Sequence, residues 1–356
     1  MLAGAPGSLA SRSRHLLMSR QDNPLRHWQV DRSQIRTIGR ELQRPECILA
    51  EPDGTLWSAD ARGGVMRIDA DGSQRLIAQS VDTRFAESDS PERYMLKGTL
   101  PNGLAFDADG NILIANFGTD HIELMTRDGH SRTLYTEIDG KPLGKTNFIL
   151  RDRSGRIWFT VTTRSVPWTR SINEKLPDGY VGMIDGTGIR IMADGFIGTN
   201  EIRFDANERW LYVVETNARR ISRLRVQADG SLSDREVYGP QDLGGIPDGF
   251  AFDAYGNLWT TLVHYDRLIA VTPEGDVLTL LDDGDPAKVA IFEQHFFAGT
   301  MTPAVMGATA GSIAPLMASV TFGGADLRTV YLGSLRGTTI PYFRSPVPGL
   351  PMVHWR

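Results

Sequence analysis

The sequence of 356 residues contains a single cysteine, Cys47, and no hydrophobic run that approaches the roughly 20 residues needed to cross a bilayer. One cysteine excludes an intrachain disulfide and a metal site built from several thiolates. The Walker motif, the His-Glu-x-x-His zinc motif and the Gly-x-Ser-x-Gly nucleophile elbow are also missing. These absences leave open a metal site built from oxygen ligands.

The chain has no strong excess of one charge. Its 38 basic and 43 acidic residues give a formal charge of −5, and this mild acidity argues against a nucleic-acid partner. Residues 1–24 are rich in Arg and Ser and carry no acidic residue before Asp22, which is typical of an organelle transit peptide or of a disordered extension. We predict a disordered extension over residues 1–27 and one folded domain over residues 28–356 of a cytoplasmic protein. The oligomeric state stays open.

Five segments share one pattern, in which a polar lead residue precedes an apolar run, a turn with Gly or Asn, and a second β-rich run. Successive lead residues are 45 to 56 positions apart. A third β-like run follows each segment, and a fourth often does. Repeats of roughly 40–50 residues with four strands each are typical of β-propellers. The lead residues are Glu46, Asn102, Asn147, Asn200 and Asp248.

A sixth unit contains only three β-like runs, within residues 319–343. The segment 34–38 at the N-terminal end is free to supply the fourth strand, and closing the ring in this way removes exposed sheet edges. The sequence therefore predicts an all-β fold: a six-bladed β-propeller with four antiparallel strands per blade, its ring closed by an N-terminal strand.

The lead residues share a register, because each precedes its turn by seven positions. Aligning residues 326–331 of the sixth unit with residues 207–212 of the fourth puts Ser319 at the position of the lead residue. All six residues carry oxygen, and no basic residue joins them. Buried charge is costly unless it is paired or bound to a metal, so we predict a hard divalent cation at this ring. The alternative is the polar lining of a water-filled channel.

Three motifs are similar to those of a known family. They are Pro-Asn-Gly-Leu-Ala-Phe-Asp-Ala-Asp-Gly (101–110), Pro-Asp-Gly-Phe-Ala-Phe-Asp-Ala-Tyr-Gly-Asn-Leu-Trp (247–259) and Ser-x-x-Phe-Gly-Gly-Ala-Asp-Leu-Arg-Thr-Val-Tyr (319–331). On these motifs the chain resembles the SMP-30/gluconolactonase/luciferin-regenerating family of six-bladed propellers, over roughly residues 40–345.

The resemblance implies a central divalent cation. Ca²⁺ is favoured, with Zn²⁺, Mn²⁺ and Mg²⁺ as alternatives. Asn102 and Ser319 would then support the ligands or contact substrate. The first blade departs from the family pattern, because it reads Arg44-Pro45-Glu46-Cys47. No arginine obviously matches the one that binds sugar acids in aldonolactonases, which weakens the prediction of a sugar substrate. The implied metal ligands are Glu46, Asn147, Asn200 and Asp248.

The loops that leave the second strands should line the mouth of the site. They carry four candidate substrate contacts, His121, Trp168, His264 and Tyr265. The long connection over residues 285–314, rich in Met and Phe, is either a mobile lid or a helix packed on the rim. Either arrangement presents apolar groups, which predicts a small-molecule substrate with an apolar body.

The leading hypothesis is a divalent-metal-dependent hydrolase of a lactone or related cyclic ester. The metal would polarise the carbonyl, and Asp248 would act as general base or nucleophile. One alternative is hydrolysis of phosphotriesters or phosphorofluoridates at the same site. Another is a non-enzymatic calcium-binding propeller that serves as a scaffold.

Overall fold

The computed structural model describes residues 23–80 and 99–355. The strands form six four-stranded antiparallel sheets, and a separate two-stranded hairpin lies between the second and third of them. The innermost strands of successive sheets contact one another in a closed cycle. The protein is thus a six-bladed β-propeller, as the repeat pattern predicts.

The first three blades follow one another along the chain, after a short first strand, β1 (Arg36–Ile38). Blade 1 contains β2 (Ile48–Ala50), β3 (Leu56–Asp60), β4 (Gly64–Ile68) and β5 (Gln74–Ala78). Blade 2 contains β6 (Pro101–Phe106), β7 (Ile112–Asn116), β8 (His121–Met125) and β9 (Ser131–Tyr135). The hairpin is β10 (Glu137–Ile138) and β11 (Lys141–Pro142). Blade 3 contains β12 (Thr146–Arg151), β13 (Ile157–Val161), β14 (Gly179–Asp185) and β15 (Gly188–Phe196).

The last three blades complete the ring. Blade 4 contains β16 (Thr199–Phe204), β17 (Trp210–Glu215), β18 (Arg220–Val226) and β19 (Leu232–Tyr238). Blade 5 contains β20 (Pro247–Phe252), β21 (Leu258–Leu262), β22 (Arg267–Val271) and β23 (Val277–Asp282). Blade 6 contains β24 (Met317–Gly323), β25 (Thr329–Ser334) and β26 (Ile340–Arg344), with β1 as its outer strand.

The N-terminal strand closes the ring. β1 pairs antiparallel with β26, so that Arg36 lies opposite Tyr342 and Ile38 opposite Ile340. This pairing confirms the predicted closure, although the strand begins two residues later than expected because residues 32–34 form a 3-10 helix. An edge that the three C-terminal strands of blade 6 would expose is thereby covered.

The folded part begins earlier than predicted. Asn23 and Leu25 are buried, and the side-chain amide of Asn23 donates to Asn257 Oδ1 at 2.5 Å. Trp28 packs against Trp259, with ring centroids 5.8 Å apart. The predicted extension is therefore wrong for residues 23–27, because they pack on blade 5. Residues 1–22, which contain most of the proposed transit peptide, lie outside the described residues.

The turns between the first two strands of the blades explain why Asp and Gly recur at these positions of the repeat. In blade 2, Asp107 Oδ1 accepts hydrogen bonds from the backbone amides of Asp109 and Asn111 at 2.9 and 2.8 Å, and Gly110 adopts a φ of +80°. A local side-chain acceptor and a glycine in the left-handed region are what such a tight connection requires. The indoles of Trp158 and Trp259 each donate to the aspartate that begins the preceding turn, which ties the turn to the core between blades.

Short helices lie on the face of the propeller where the innermost strands begin. They are α1 (Arg170–Glu174), α2 (Pro286–Ala298) and α3 (Pro303–Gly307), with further 3-10 turns at Thr216–Ala218 and Val263–Tyr265. The 3-10 turn Val353–Trp355 lies on the opposite face, where Trp355 Nε1 donates to the carbonyl of Ala50 at the end of β2. Asp285 caps α2 by accepting from two backbone amides, and Gly299 ends it with a φ of +67°. Within residues 285–314, the predicted lid or rim helix, α2 and α3 pack on the rim and leave non-helical segments between and after them. None of the helices in the described ranges is long and apolar enough to span a bilayer.

Candidate metal and substrate site

Four lead residues, those of blades 2 to 5, lie at an irregularity in the innermost strands, whereas Glu46 lies two residues before β2. In blade 2, Pro101 pairs with Asn116 and Gly103 pairs with Ala115, so Asn102 is an extra residue without a partner in the ladder. A bulge of this kind re-aims the side chain that it carries. Register shifts occur at the same place in the third, fourth and fifth blades. The repeat therefore directs one residue from each of these blades towards the axis.

Five of the six predicted lead residues lie together at the floor of one cavity of about 720 Å³. The walls are mostly apolar and come from the rim loops and helices. We call the polar end of this cavity the floor. The lead residues that line it are Glu46, Asn102, Asn147, Asn200 and Asp248. The apolar wall includes Phe117, Trp168, Ile172, Phe292, Met301 and Met306.

Ser319 does not line the cavity, contrary to the predicted substrate contact. In blade 6, Met317 pairs with Ser334 and Ser319 with Gly333, so the extra residue is Ala318. The turn of this blade is one residue longer than that of blade 4, and a one-residue slip moves a side chain to the other face of a strand. The Ser319 hydroxyl instead donates to the backbone carbonyl of Glu46.

His121 and Tyr265 also lie away from the cavity wall. His121 starts β8 with its side chain 34% exposed, and its Nδ1 is 4.0 Å from Glu123 Oε1. Tyr265 is buried, and its hydroxyl accepts from Arg219 at 2.7 Å and donates to Glu293 at 2.8 Å. The predicted substrate contacts at these two residues are not supported, because their side chains turn to neighbours outside the cavity.

His264 and Trp168 do line the cavity. Trp168 meets Phe117 edge-on, with centroids 5.4 Å apart. His264 stacks on Phe292 at 4.5 Å, and its Nδ1 is 3.3 Å from Thr309 Oγ1. Burial lowers the pKa of His264 to about 4, so the imidazole is neutral at neutral pH. It can exchange hydrogen bonds with a ligand but brings no charge.

The two floor carboxylates are poorly compensated by the protein. Burial, followed by repulsion from Glu46, raises the pKa of Asp248 well above its ordinary value. Burial also raises the pKa of Glu46, while Arg44 lowers it. Among the described residues, Glu46 Oε2 and Asn200 Oδ1 are buried and have no hydrogen-bond partner. Buried oxygens in this state are suited to a cation.

The side chain of Asn200 is oriented to leave a free oxygen at the floor, whereas Asn102 Oδ1 accepts from Arg44 Nη2. Asn200 Nδ2 donates to Thr216 Oγ1 at 3.1 Å, so its Oδ1 is left free. Asn102 Nδ2 donates to the backbone carbonyl of Asn147 at 3.0 Å. Within residues 23–80 and 99–355, no three His, Cys, Asp or Glu side chains converge to hold a metal by themselves. A cation here would depend on amide oxygens as well as carboxylates, and an all-oxygen set fits a hard divalent ion.

Arg44 is a functional candidate that the sequence reasoning missed. We expected no basic residue beside the carboxylates, but Arg44 lines the cavity. Its Nη2 donates to Asn102 Oδ1 at 2.6 Å and its Nη1 to Pro101 O at 3.4 Å. Burial lowers the pKa of Arg44, and Glu46 and Asp248 raise it; a guanidinium stays charged throughout. The residue adopts a φ of +57°, which no spacing rule would reveal.

Glu201, next to Asn200 in the chain, is a buried ionisable residue that does not line the cavity. It is 1% exposed and accepts from Arg203 at 3.1 Å and from the backbone amide of Phe250 at 3.2 Å. Burial, partly offset by Arg203, raises its pKa to about 7. A glutamate following the lead asparagine was visible in the repeat, but nothing in the spacing distinguished it from an ordinary strand residue.

The fold and this site define a six-bladed propeller with an oxygen-lined axial cavity under apolar helices. Residues 83–290 match the family described as SMP-30/Gluconolactonase/LRE-like region. Because the match covers more than half of the chain, the protein belongs to this family. The resemblance inferred from the three sequence motifs is thereby confirmed.

Similar proteins include two curated lactonases. The chain is 27% identical over 207 residues to a gluconolactonase of Zymomonas mobilis, covering 52% of this chain and 55% of the relative. It is 27% identical over 149 residues to a 6-deoxy-6-sulfogluconolactonase of Pseudomonas putida, covering 41% of each. The chain thus spans about half the length of the curated relatives that it matches.

A solved structure agrees over the whole fold. Regucalcin of Agrobacterium tumefaciens, described as a calcium-binding protein, is 16% identical and superposes with a TM-score of 0.62. The superposition covers 90% of this chain and 98% of that protein. At this identity the likeness supports the propeller fold alone.

Proposed function

We propose that the protein is a divalent-metal-dependent hydrolase of a lactone or related cyclic ester whose body is apolar. The proposal depends on one observation: oxygen donors that include the unpartnered Glu46 Oε2 and Asn200 Oδ1 form the floor of a cavity with apolar walls. The names of the two curated relatives favour a lactone as the substrate class. The floor offers only oxygen donors, which suits a hard cation, and Ca²⁺ is the proposed ion, with Zn²⁺, Mn²⁺ and Mg²⁺ as alternatives.

The floor residues have two proposed roles, metal binding and substrate orientation. Glu46, Asn147, Asn200 and Asp248 would hold the cation, which when bound polarises the ester carbonyl and stabilises the developing oxyanion. Asn102 would orient the substrate.

Asp248 is the proposed catalytic residue. As a general base it would take a proton from water while the water oxygen adds to the carbonyl carbon. That proton would then pass to the ring oxygen as its bond to the carbonyl carbon breaks, giving a hydroxy acid. In the alternative role, Asp248 attacks the carbonyl carbon itself, and water releases the acyl group in a second step. Both roles need the carboxylate of Asp248 at the cavity floor.

The apolar wall determines the proposed substrate body. Trp168, Phe117 and Phe292 present aromatic surface, while Met301 and Met306 supply flexible side chains that adapt to shape. A substituent of alkyl or aryl character would fill this space and expel water from the floor. We therefore expect alkyl-substituted lactones to be better substrates than a bare sugar lactone.

The decisive experiment compares substrates, metal and one substitution. Decano-4-lactone, glucono-1,5-lactone and paraoxon are assayed with calcium, with the other three cations, and after chelation. We expect hydrolysis of decano-4-lactone that needs a metal and falls by about 10²- to 10⁴-fold in Asp248→Asn, the range typical of a lost general base. Asp242→Asn is the control, since Asp242 is half-exposed and pairs with Arg219 on the rim.

The same assay tests the alternatives. Turnover of paraoxon alone would favour phosphotriester hydrolysis at the floor. A melting temperature that rises with calcium, without turnover of any compound, would favour a calcium-binding scaffold. Undiminished lactone hydrolysis by Asp248→Asn would contradict the role given to that residue.

A further inference from the structure

Arg44 has donors to spare inside the cavity. A guanidinium carries five N–H groups, and two of those of Arg44 are used, on Asn102 and on the Pro101 carbonyl. The other three have no hydrogen-bond partner among the residues that the structure describes. The residue is half-buried and lines the cavity, so these donors are available to a molecule that enters it.

The charges around Arg44 favour an anionic ligand once a metal is bound. With both carboxylates ionised, Glu46 and Asp248 outweigh Arg44 by one negative charge. A divalent cation held by the two carboxylates reverses this balance and leaves one positive charge in excess. In an enclosed site with apolar walls, an excess charge acts more strongly than it would in water. The loaded site would therefore attract an oxygen that is already negative, or that becomes so.

We propose that Arg44 binds the anionic oxygen of the ligand, namely the carboxylate of the ring-opened acid and the oxyanion from which that acid forms. The ligand identity rests on the proposed function, since that reaction produces the acid. The planar guanidinium suits a carboxylate because two parallel N–H groups can meet its two oxygens. The bond to Asn102 fixes the plane of the guanidinium beforehand.

This assignment defines how the ligand is oriented in the cavity. The carboxylate end of the ligand lies at the floor beside Arg44, and the alkyl body extends along the wall that contains Trp168 and Phe292. The ligand class is accordingly a hydroxy acid with an apolar tail, together with the lactone that it forms.

The test measures binding rather than turnover. Calorimetry on the calcium-loaded protein uses 4-hydroxydecanoate, and 2-hexyltetrahydrofuran as a neutral compound with the same alkyl body. We expect Arg44→Met to weaken binding of the acid by about 10- to 100-fold, the effect typical of hydrogen bonds to charged groups. Binding of the neutral ether should change by less than about threefold, because its alkyl body contacts the apolar wall.

Arg344→Met is the matched control. Arg344 does not line the cavity, is exposed, and its Nη1 donates to Asp326 Oδ1 at 2.9 Å. It loses the same charge, and binding of the acid should change by less than about threefold, as expected for an exposed charge. Arg44→Lys should fall between wild type and Arg44→Met, since lysine keeps the charge without the two parallel donors.

Calcium affinity provides an independent readout. Removing a positive charge beside a cation site should tighten calcium binding in Arg44→Met. Weaker calcium binding, equal loss of the acid and the ether, or no binding of the acid by the wild type at millimolar concentration would each overturn the proposal. Binding of the acid through Arg44 without any lactone turnover would contradict the proposed hydrolase and leave this inference standing.

Discussion

Asn200 Nδ2 donates to Thr216 Oγ1 at 3.1 Å, and that hydroxyl donates in turn to the backbone carbonyl of Pro247 at 2.8 Å. The relay decides which atom of the Asn200 amide remains at the cavity floor. Thr216 begins the 3-10 helix that follows β17, and Pro247 precedes Asp248 in β20. One hydroxyl thus links two proposed metal ligands from neighbouring blades.

The relay predicts that Thr216→Val weakens metal binding although Thr216 is not a proposed ligand. Valine keeps the shape but cannot accept from Asn200, so the amide loses its preferred orientation. We expect calcium affinity to fall by about tenfold, the lower end of the range for residues that support metal ligands. Calorimetric titration measures the change. Thr216→Ser keeps the hydroxyl and should retain most of the affinity, whereas unchanged calcium binding by the valine variant would refute the relay.

The sequence was sufficient to predict the ring of blades and most of the floor because both depend on local spacing. A lead residue at a constant distance from its turn brought Glu46, Asn147 and Asp248 into one cavity. The same reasoning failed at Ser319, where one added turn residue exchanged the two faces of β24. Spacing also could not reveal Arg44, which lies in a loop before β2 and adopts a left-handed φ. Positions on strands were therefore more predictable than side chains in loops.

The placement of Ser319 predicts a structural role that can be separated from substrate binding. Its hydroxyl holds the backbone carbonyl of Glu46, and Ser319→Ala leaves that carbonyl without this donor. We expect a loss of about 1 kcal/mol in the free energy of unfolding, with the KM for decano-4-lactone unchanged. Chemical denaturation and steady-state kinetics measure the two quantities. A raised KM at unchanged stability would restore Ser319 as a substrate contact.

Because the imidazole of His264 is buried, we predict that part of the free energy of unfolding depends on pH. Its pKa in the folded protein is about 4, against an ordinary value of 6.5. Between these values the unfolded chain binds more protons, so stability falls as the pH drops below 6.5. From pH 7 to pH 5 this group should cost about 2 kcal/mol of the free energy of unfolding.

His264→Phe isolates that contribution. Phenylalanine can keep the stacking on Phe292 and does not titrate, while Thr309 Oγ1 retains its bond to Met306 O. The wild type should lose about 2 kcal/mol more than the variant between pH 7 and pH 5, as measured by denaturant unfolding at both values. Parallel losses in the two proteins would mean that His264 is protonated as easily when folded as when unfolded.

A contact between two rim segments leads us to predict that one substitution loosens the cavity mouth. Asn173 in α1 holds Met301 at both backbone atoms: its Oδ1 accepts from the Met301 amide at 2.7 Å, and its Nδ2 donates to the Met301 carbonyl at 3.2 Å. Met301 lies between α2 and α3 and lines the cavity. Asn173→Ala removes both bonds, each worth about 0.5–1.5 kcal/mol, so the segment around Met301 should open more often while the blades remain intact.

Hydrogen exchange measured by mass spectrometry detects that opening. We expect peptides covering residues 299–302 to exchange about tenfold faster in Asn173→Ala, as the loss of one to two kcal/mol of local stability requires, with strand peptides of the blades unchanged. Glu174→Ala is the control, because Glu174 makes an exposed ion pair with Arg170 in the same helix, and such pairs contribute little. Faster exchange at the rim should accompany weaker binding of 2-hexyltetrahydrofuran, since Met301 forms part of the apolar wall. Unchanged exchange in the alanine variant would mean that packing of Phe292 and Phe296, rather than Asn173, holds the rim in place.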